Sequence, residues 1–422
     1  MDLLLKKLEK YLKTDVRYLL NGGLWLSFGQ GFALLSGLLL TVIMTNILSK
    51  EEYGMYQFIV SAFAIIGTFT LSKIGSVIVR EIAQGKDSAF YSGFYTQLKW
   101  SVGIVIASIG VAGYYWINGN VPLAYTFLVI GLVVPLHSAF QLANSYLLGK
   151  QLFKESVLMG LWRKPIPVIA LLIALTQTQN PLILAFFYFA STAVTSGLIY
   201  LLVLKKYNPP RLPEVNLVGL SKHLSFIAVI QAIGNNLDKL LVFYFLGPVV
   251  VAAYALAYVP IKILEGLFSS LYSMSLPKIS QKDYAVLQNI LPTKVRTTYY
   301  ITLGIVATYI LTVPILFKII FPAYPEAIPY SQALALLLLS KPKGFYITAF
   351  LVHDMKKNIY LTSLSLPILT IALMLILVPM YGVWGAISAS LVAHLLVNMI
   401  IIYLFKQTKP STDSLSELPP EK

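Results

Sequence analysis

The sequence predicts an all-α polytopic membrane protein with about twelve transmembrane helices in two six-helix bundles. Three observations carry that prediction. Mean hydropathy is +0.76. The chain is 57% hydrophobic and 12% charged, about half the charged fraction of a soluble domain. Apolar runs long enough to cross a bilayer recur along all 422 residues, separated by polar or Gly/Pro-rich breaks. Together these exclude an ordinary soluble enzyme, a disordered chain and a basic nucleic-acid module.

Twelve spans are predicted at 21–48, 54–79, 92–116, 122–147, 155–177, 181–204, 222–246, 252–277, 298–320, 328–352, 359–379 and 383–405. Residues 1–20 read as an interfacial amphipathic helix, with Leu4, Leu8, Tyr11, Leu12 and Leu19 at helical spacing and lysines opposite. No cleaved signal peptide is expected there, because no apolar core or small-residue cleavage site is present. Residues 208–221 carry Pro209, Pro210 and Pro213 and form a linker between bundles at 21–207 and 222–405. Residues 406–422 read as a disordered polar tail.

Net charge is +15, and its placement orients the chain. Of the 32 Lys and Arg, 25 fall in the N-terminal segment, the even-numbered connections with their adjoining span ends, or the C-terminus. The odd-numbered connections hold only Lys50 and Lys318. The positive-inside rule then places both termini in the cytoplasm. Cysteine is absent, which excludes disulfides and thiolate chemistry.

The remaining basic residues, Lys73, Lys239, Lys262, Lys341 and Lys343, lie inside predicted spans with Asp238 and Glu265. A charge at the bilayer centre costs at least about 2.5–3.5 kcal/mol, so such residues face a bundle interior or a wet cavity. Lys262 and Glu265 sit three apart on one helical face and could neutralise each other. Lys73 could snorkel to the inner surface. Asp238 and Lys239 are adjacent and point to different faces, as cavity groups or as members of salt bridges. Lys341 and Lys343 flank Pro342 in mid-span with Gly344 following, so a broken helix and a water-filled cavity are expected there. Five lysines against two carboxylates favour an anion, and a diphosphate suits paired ammonium groups. Tyr244, Tyr254 and Tyr258 cluster nearby and could stack on sugars, or serve as packing and interfacial rings.

Residues 48–56, Leu-Ser-Lys-Glu-Glu-Tyr-Gly-Met-Tyr, read like the L-x-x-x-E-Y-G-x-Y corner of a known family. Gly75 and Arg80 follow at a familiar spacing, as do Asp238-Lys239, Leu246-Gly247 and Ala253-Tyr254. In these motifs and in its architecture the chain resembles the Wzx-type polysaccharide flippases of the MOP superfamily, which includes MATE exporters, over roughly residues 20–405. It departs from them in Pro248 and the Val249–Val251 run.

The resemblance implies a MATE-like fold and transport of an undecaprenyl-diphosphate-linked oligosaccharide, an O-antigen or exopolysaccharide repeat unit, from inner to outer leaflet. The site of action would be the cytoplasmic (inner) membrane, with membrane lipids and a polysaccharide polymerase or glycosyltransferases as partners. Lys73, Arg80, Lys239, Lys262, Lys341 and Lys343 would then contact the diphosphate, and Asp238 and Glu265 could couple a proton to the cycle. The alternative is a MATE-like ion-coupled exporter of small amphipathic molecules, against which the lysine excess argues. An enzyme is not expected: no D-x-D, P-loop or metal-type histidine cluster is present, and His137, His223, His353 and His394 are dispersed. No catalytic residue, cofactor, metal or nucleic acid is therefore expected.

Overall fold

The computed structural model describes residues 16–163, 165–211, 217–353 and 355–408, with the backbone alone at 16–27, 270, 273, 274 and 277. Most of the predicted interfacial helix and nearly all of the tail lie outside the described residues. Every regular element among those described is helical, and ten helices or helix pairs are long and apolar enough to cross a membrane.

The helices are α1 Val16–Ile47, α2 Lys50–Ile66, α3 Ile74–Ala83, α4 Ala89–Trp100, α5 Val102–Ile117, α6 Val121–Phe140, α7 Leu142–Gly149 and α8 Phe153–Arg163. There follow α9 Pro165–Leu175, α10 Pro181–Tyr207, α11 Val218–Leu246, α12 Pro248–Ser280, α13 Tyr284–Ile320 and α14 Ala327–Ala335. A 3-10 segment, Leu336–Lys343, leads into α15 Gly344–Val352 and α16 Lys356–Gln407.

The difference between twelve predicted spans and ten observed ones has two local causes. The second span is interrupted: α2 stops at Ile66, turns occupy 67–73, and α3 resumes at Ile74. In that turn the Thr68 hydroxyl donates to the Ile65 carbonyl at 2.6 Å, a local bond that competes with helix continuation. Thr70 is tied to Ser101 at 3.3 Å and Ser101 to Ser138 at 3.3 Å, so side chains beyond the turn anchor the break. At the other end of the chain, the eleventh and twelfth spans run together as α16. Gly382, at φ 57° and ψ −134°, interrupts it with a conformation that only glycine adopts without strain.

The start of α2 is written in its sequence. Ser49 accepts the Glu52 backbone N–H at 3.2 Å, and the Glu52 carboxylate accepts the Ser49 N–H at 2.8 Å. This reciprocal capping box satisfies two helix-end donors. Asn120 and Asn180 cap α6 and α10 in the same manner through their side-chain oxygens.

The chain forms two compact units, 1–240 and 241–422, dividing within α11. The first has a core of Ile74, Ile78, Phe90, Tyr146, Tyr200 and Val203. The second has a core of Tyr284, Leu287, Phe350, Val397, Ile401 and Phe405. In the second unit Tyr284 donates to the Phe405 carbonyl at 3.0 Å and Gln288 to the same carbonyl at 2.9 Å. These bonds satisfy an end of α16 that would otherwise leave its last carbonyls open. Large apolar side chains such as Ile106, Leu132, Leu201, Leu311 and Ile319 are exposed along the helices, as lipid contact requires.

Candidate functional site

The tenth span is where the second unit departs from regular helix. Pro342 has no N–H and its ring opposes a continuous α-helix, and the chain answers with eight residues of 3-10 helix ending at Lys343. Runs beyond three or four residues are uncommon, and mid-helix ones often mark a hinge. The Ser340 hydroxyl bonds the Leu337 carbonyl at 2.7 Å, satisfying part of the disturbed backbone.

This geometry separates the two lysines. At three residues per turn, side chains two positions apart diverge by about 120°. Lys341 reaches α12, where its Nζ lies 2.8 Å from the Glu265 Oε1. Both side chains are about a quarter to a third exposed, at 25% and 32%. Lys343 goes elsewhere: its Nζ is buried and has no hydrogen-bond partner among the described residues. A buried amine in that condition holds its proton only at a cost unless an anion or water supplies a partner.

Other groups complete the cluster. Tyr272 lies seven residues after Glu265 on the same face of α12, and its hydroxyl donates to the Lys341 carbonyl. Gly344 makes room for that ring, because a Cβ there would sit 2.4 Å from Tyr272 Cζ. From α16, the His394 Nδ1 lies 2.8 Å from the Ser390 carbonyl. In a neutral ring that bond places the proton on Nδ1 and leaves a lone pair on Nε2. The fields of Lys343 and Lys341 both reach this imidazole. One turn further along α16, the Asn398 Oδ1 is buried without a partner among the described residues. The Lys343 Nζ and the Asn398 Oδ1 are thus left open on the 3-10 segment and α16, which pack together.

The pairing that spacing allows within α12 is not the one adopted. Glu265 pairs with Lys341 across helices, while Lys262 is exposed and makes no ion pair among the described residues. Lys262, Glu265, Lys341 and Lys343 all belong to the second unit.

The remaining predicted residues lie elsewhere. Lys73, Arg80, Asp238 and Lys239 belong to the first unit. Lys73 ends the 67–73 turn with an exposed side chain, and its backbone N–H donates to the Ser225 hydroxyl at 3.1 Å. Arg80 is committed to Glu81 at 2.7 Å, and Lys86 takes the other Glu81 oxygen at 2.7 Å. These two cations hold the Glu81 carboxyl below its ordinary range, the hydrogen bond from Lys86 contributing most. Asp238 and Lys239 are both buried and both engaged in polar or electrostatic contacts. Tyr254 is fully buried with its ring edge-on to Tyr258 at 5.3 Å, so it packs as a core residue here. Tyr258 is half-buried, and Tyr244 is exposed beside Phe245.

Two members of this cluster are not evident in sequence reading, and in the first unit one buried cation is not. Tyr272 had a signal in its seven-residue spacing from Glu265. His394 had none, since only folding brings it to the lysines. Arg163, counted with the inner connections, instead ends α8 midway along the fifth span, Phe153–Leu175, with its Nε buried and without a partner among the described residues.

A family model described as "Polysaccharide biosynthesis protein" matches residues 19–282, more than half of the chain. Among solved structures, the lipid II flippase MurJ in an inward closed conformation is similar at a TM-score of 0.70 and 16% identity, covering 92% of this chain and 88% of that one. An inward-facing multidrug resistance MATE family transporter of the MOP superfamily is similar at 0.68 and 14% identity, covering 89% and 94%. An outward-facing multidrug resistance MATE family transporter of the same superfamily is similar at 0.62 and 12% identity, covering 92% and 94%. No curated protein sequence matches significantly. At these identities the structures establish the fold alone, one shared with the MATE transporters and MurJ.

Proposed function

Because the chain belongs to the polysaccharide biosynthesis protein family and buries the Lys343 amine in a membrane span with no partner among the described residues, we propose that it flips a polyprenyl-diphosphate-linked oligosaccharide. The lipid carrier is undecaprenyl diphosphate, and movement runs from the inner to the outer leaflet of the cytoplasmic membrane by alternating access. Both termini are cytoplasmic. The observation carrying this reading is Lys343, whose ammonium has no partner among the described residues, beside Lys341 on the same segment. A diphosphate would supply the missing counter-charge through charge-assisted hydrogen bonds. His394 and Asn398 offer sites for a bridging water or a sugar hydroxyl. Among the sequence-derived candidates of the first unit, Arg80 is occupied by Glu81.

A small-cation exporter would require an acidic interior, and the cluster around the 3-10 segment holds two lysines against one carboxylate. The test is a cell lacking this protein but retaining its glycosyltransferases. The complete lipid-linked glycan is expected to accumulate on the cytoplasmic leaflet, relieved by the wild type and not by a Lys341→Gln/Lys343→Gln variant. Normal delivery to the outer leaflet in the deletion cell, with no second flippase present, would contradict the proposal.

A further inference from the structure

We propose that Glu265 is an exchangeable counterion: it occupies Lys341 in the unloaded protein, and an arriving diphosphate displaces it to Lys262. The inference rests on the flippase reading above and concerns how that site is loaded. The two lysines of the tenth span differ in a way that a simple anion pocket would not need. Lys341 is already neutralised by Glu265 at 2.8 Å, while Lys343 has no partner among the described residues. A ligand drawn by Lys343 must compete for its neighbour.

Glu265 is placed to give way. Its side chain is 32% exposed, so breaking the pair returns the carboxylate to a partly hydrated position instead of stranding it. A second berth lies on its own helix. Lys262 is one turn back, on the same face, exposed and without an ion pair among the described residues, and ammonium and carboxylate groups three residues apart can meet. The anchor stays put during the exchange, because Tyr272 holds the Lys341 backbone carbonyl and Gly344 admits its ring. Diphosphate entry would then swap one carboxylate–ammonium pair for another and add two ammonium–phosphate contacts. Release would reverse the swap, so a permanent salt bridge to substrate is avoided.

The test uses the full chain in nanodiscs and measures the affinity of inorganic pyrophosphate and, separately, of farnesyl diphosphate. Glu265→Gln is expected to tighten both by about fivefold, the size of an exposed ion pair removed from competition. Glu265→Ala should change affinity in the same direction, which guards against a packing artefact of one substitution. Lys262→Gln is expected to weaken binding about twofold in the wild-type background and not at all in the Glu265→Gln background. Unchanged or weaker binding by both Glu265 variants would overturn the exchange. An equal loss from Lys262→Gln in both backgrounds would make Lys262 a direct ligand contact and overturn the berth. If wild type and Lys343→Gln alike bind neither probe, the cationic-site reading itself fails. Binding of pyrophosphate without farnesyl diphosphate would remove the lipid carrier but leave the exchange standing.

Discussion

Each unit contains a carboxylate among two basic side chains, and the two arrangements differ in what they leave open. In the first unit Glu81 is buried, with its side chain 7% exposed, and it engages both Arg80 and Lys86, whose own side chains are more than half exposed. Every charge there has either a partner or water. In the second unit Glu265 engages Lys341 alone, and the Lys343 ammonium is buried beside them without a partner among the described residues. The two ensembles hold the same charges. One is closed at a helix end, where water shares the cost. The other is open inside a span, where an unmatched ammonium is expensive. Spending stability in that way is what a binding site does, and it is what separates the second cluster from the first.

The sharpest way to break this comparison is to remove the open charge. Lys343→Gln is expected to lower flipping by more than about tenfold, while the thermal midpoint of the purified protein stays level or rises, because an uncompensated buried charge has gone. A loss of both transport and stability would make Lys343 a structural residue. Flipping by reconstituted protein and scanning fluorimetry measure the two. Tyr272→Phe should reduce flipping several-fold and cost about 1 kcal/mol, by freeing the Lys341 carbonyl from its hydroxyl partner.

The closed cluster should answer in the opposite sense. Glu81→Gln is expected to destabilise by about 1 kcal/mol, discounted for its exposed partners, with flipping intact. Its pH dependence follows from a folded-state pKa lowered below the ordinary value of 4.5. The stabilisation is complete above about pH 4.5 and is lost as pH falls through the lowered folded value. In acid titrations of thermal stability, Glu81→Gln should therefore converge with the wild type at low pH. The smallest effect is expected at the corner that opens α2, where Ser49→Ala should cost about 0.5–1 kcal/mol through loss of the capping box.

The span pattern was largely legible from hydropathy, because lipid imposes apolar length on every crossing. The break in the tenth span was also legible, since Lys341-Pro342-Lys343-Gly344 combines a helix breaker with charges that lipid does not tolerate. The turn at 67–73 was not. Its Thr68 hydroxyl bonds the local Ile65 carbonyl, while Thr70 reaches the Ser101 hydroxyl at the junction of α4 and α5, a contact from distant sequence. The partner of Glu265 was not legible for a related reason. Spacing reveals neighbours along one helix, such as Lys262, whereas the shift to 3-10 winding turns Lys341 toward α12 from another. His394 was invisible because it joins the lysines only through packing of α16 against the 3-10 segment.

The central claim is that the open cluster, and not the closed one, carries the substrate. Its most direct test is flipping of a fluorescent polyprenyl-diphosphate glycan in proteoliposomes containing equal amounts of wild type, Lys343→Gln or Glu81→Gln protein. The account predicts transport by the wild type and by Glu81→Gln, and its collapse in Lys343→Gln. Wild-type rates from Lys343→Gln would contradict it.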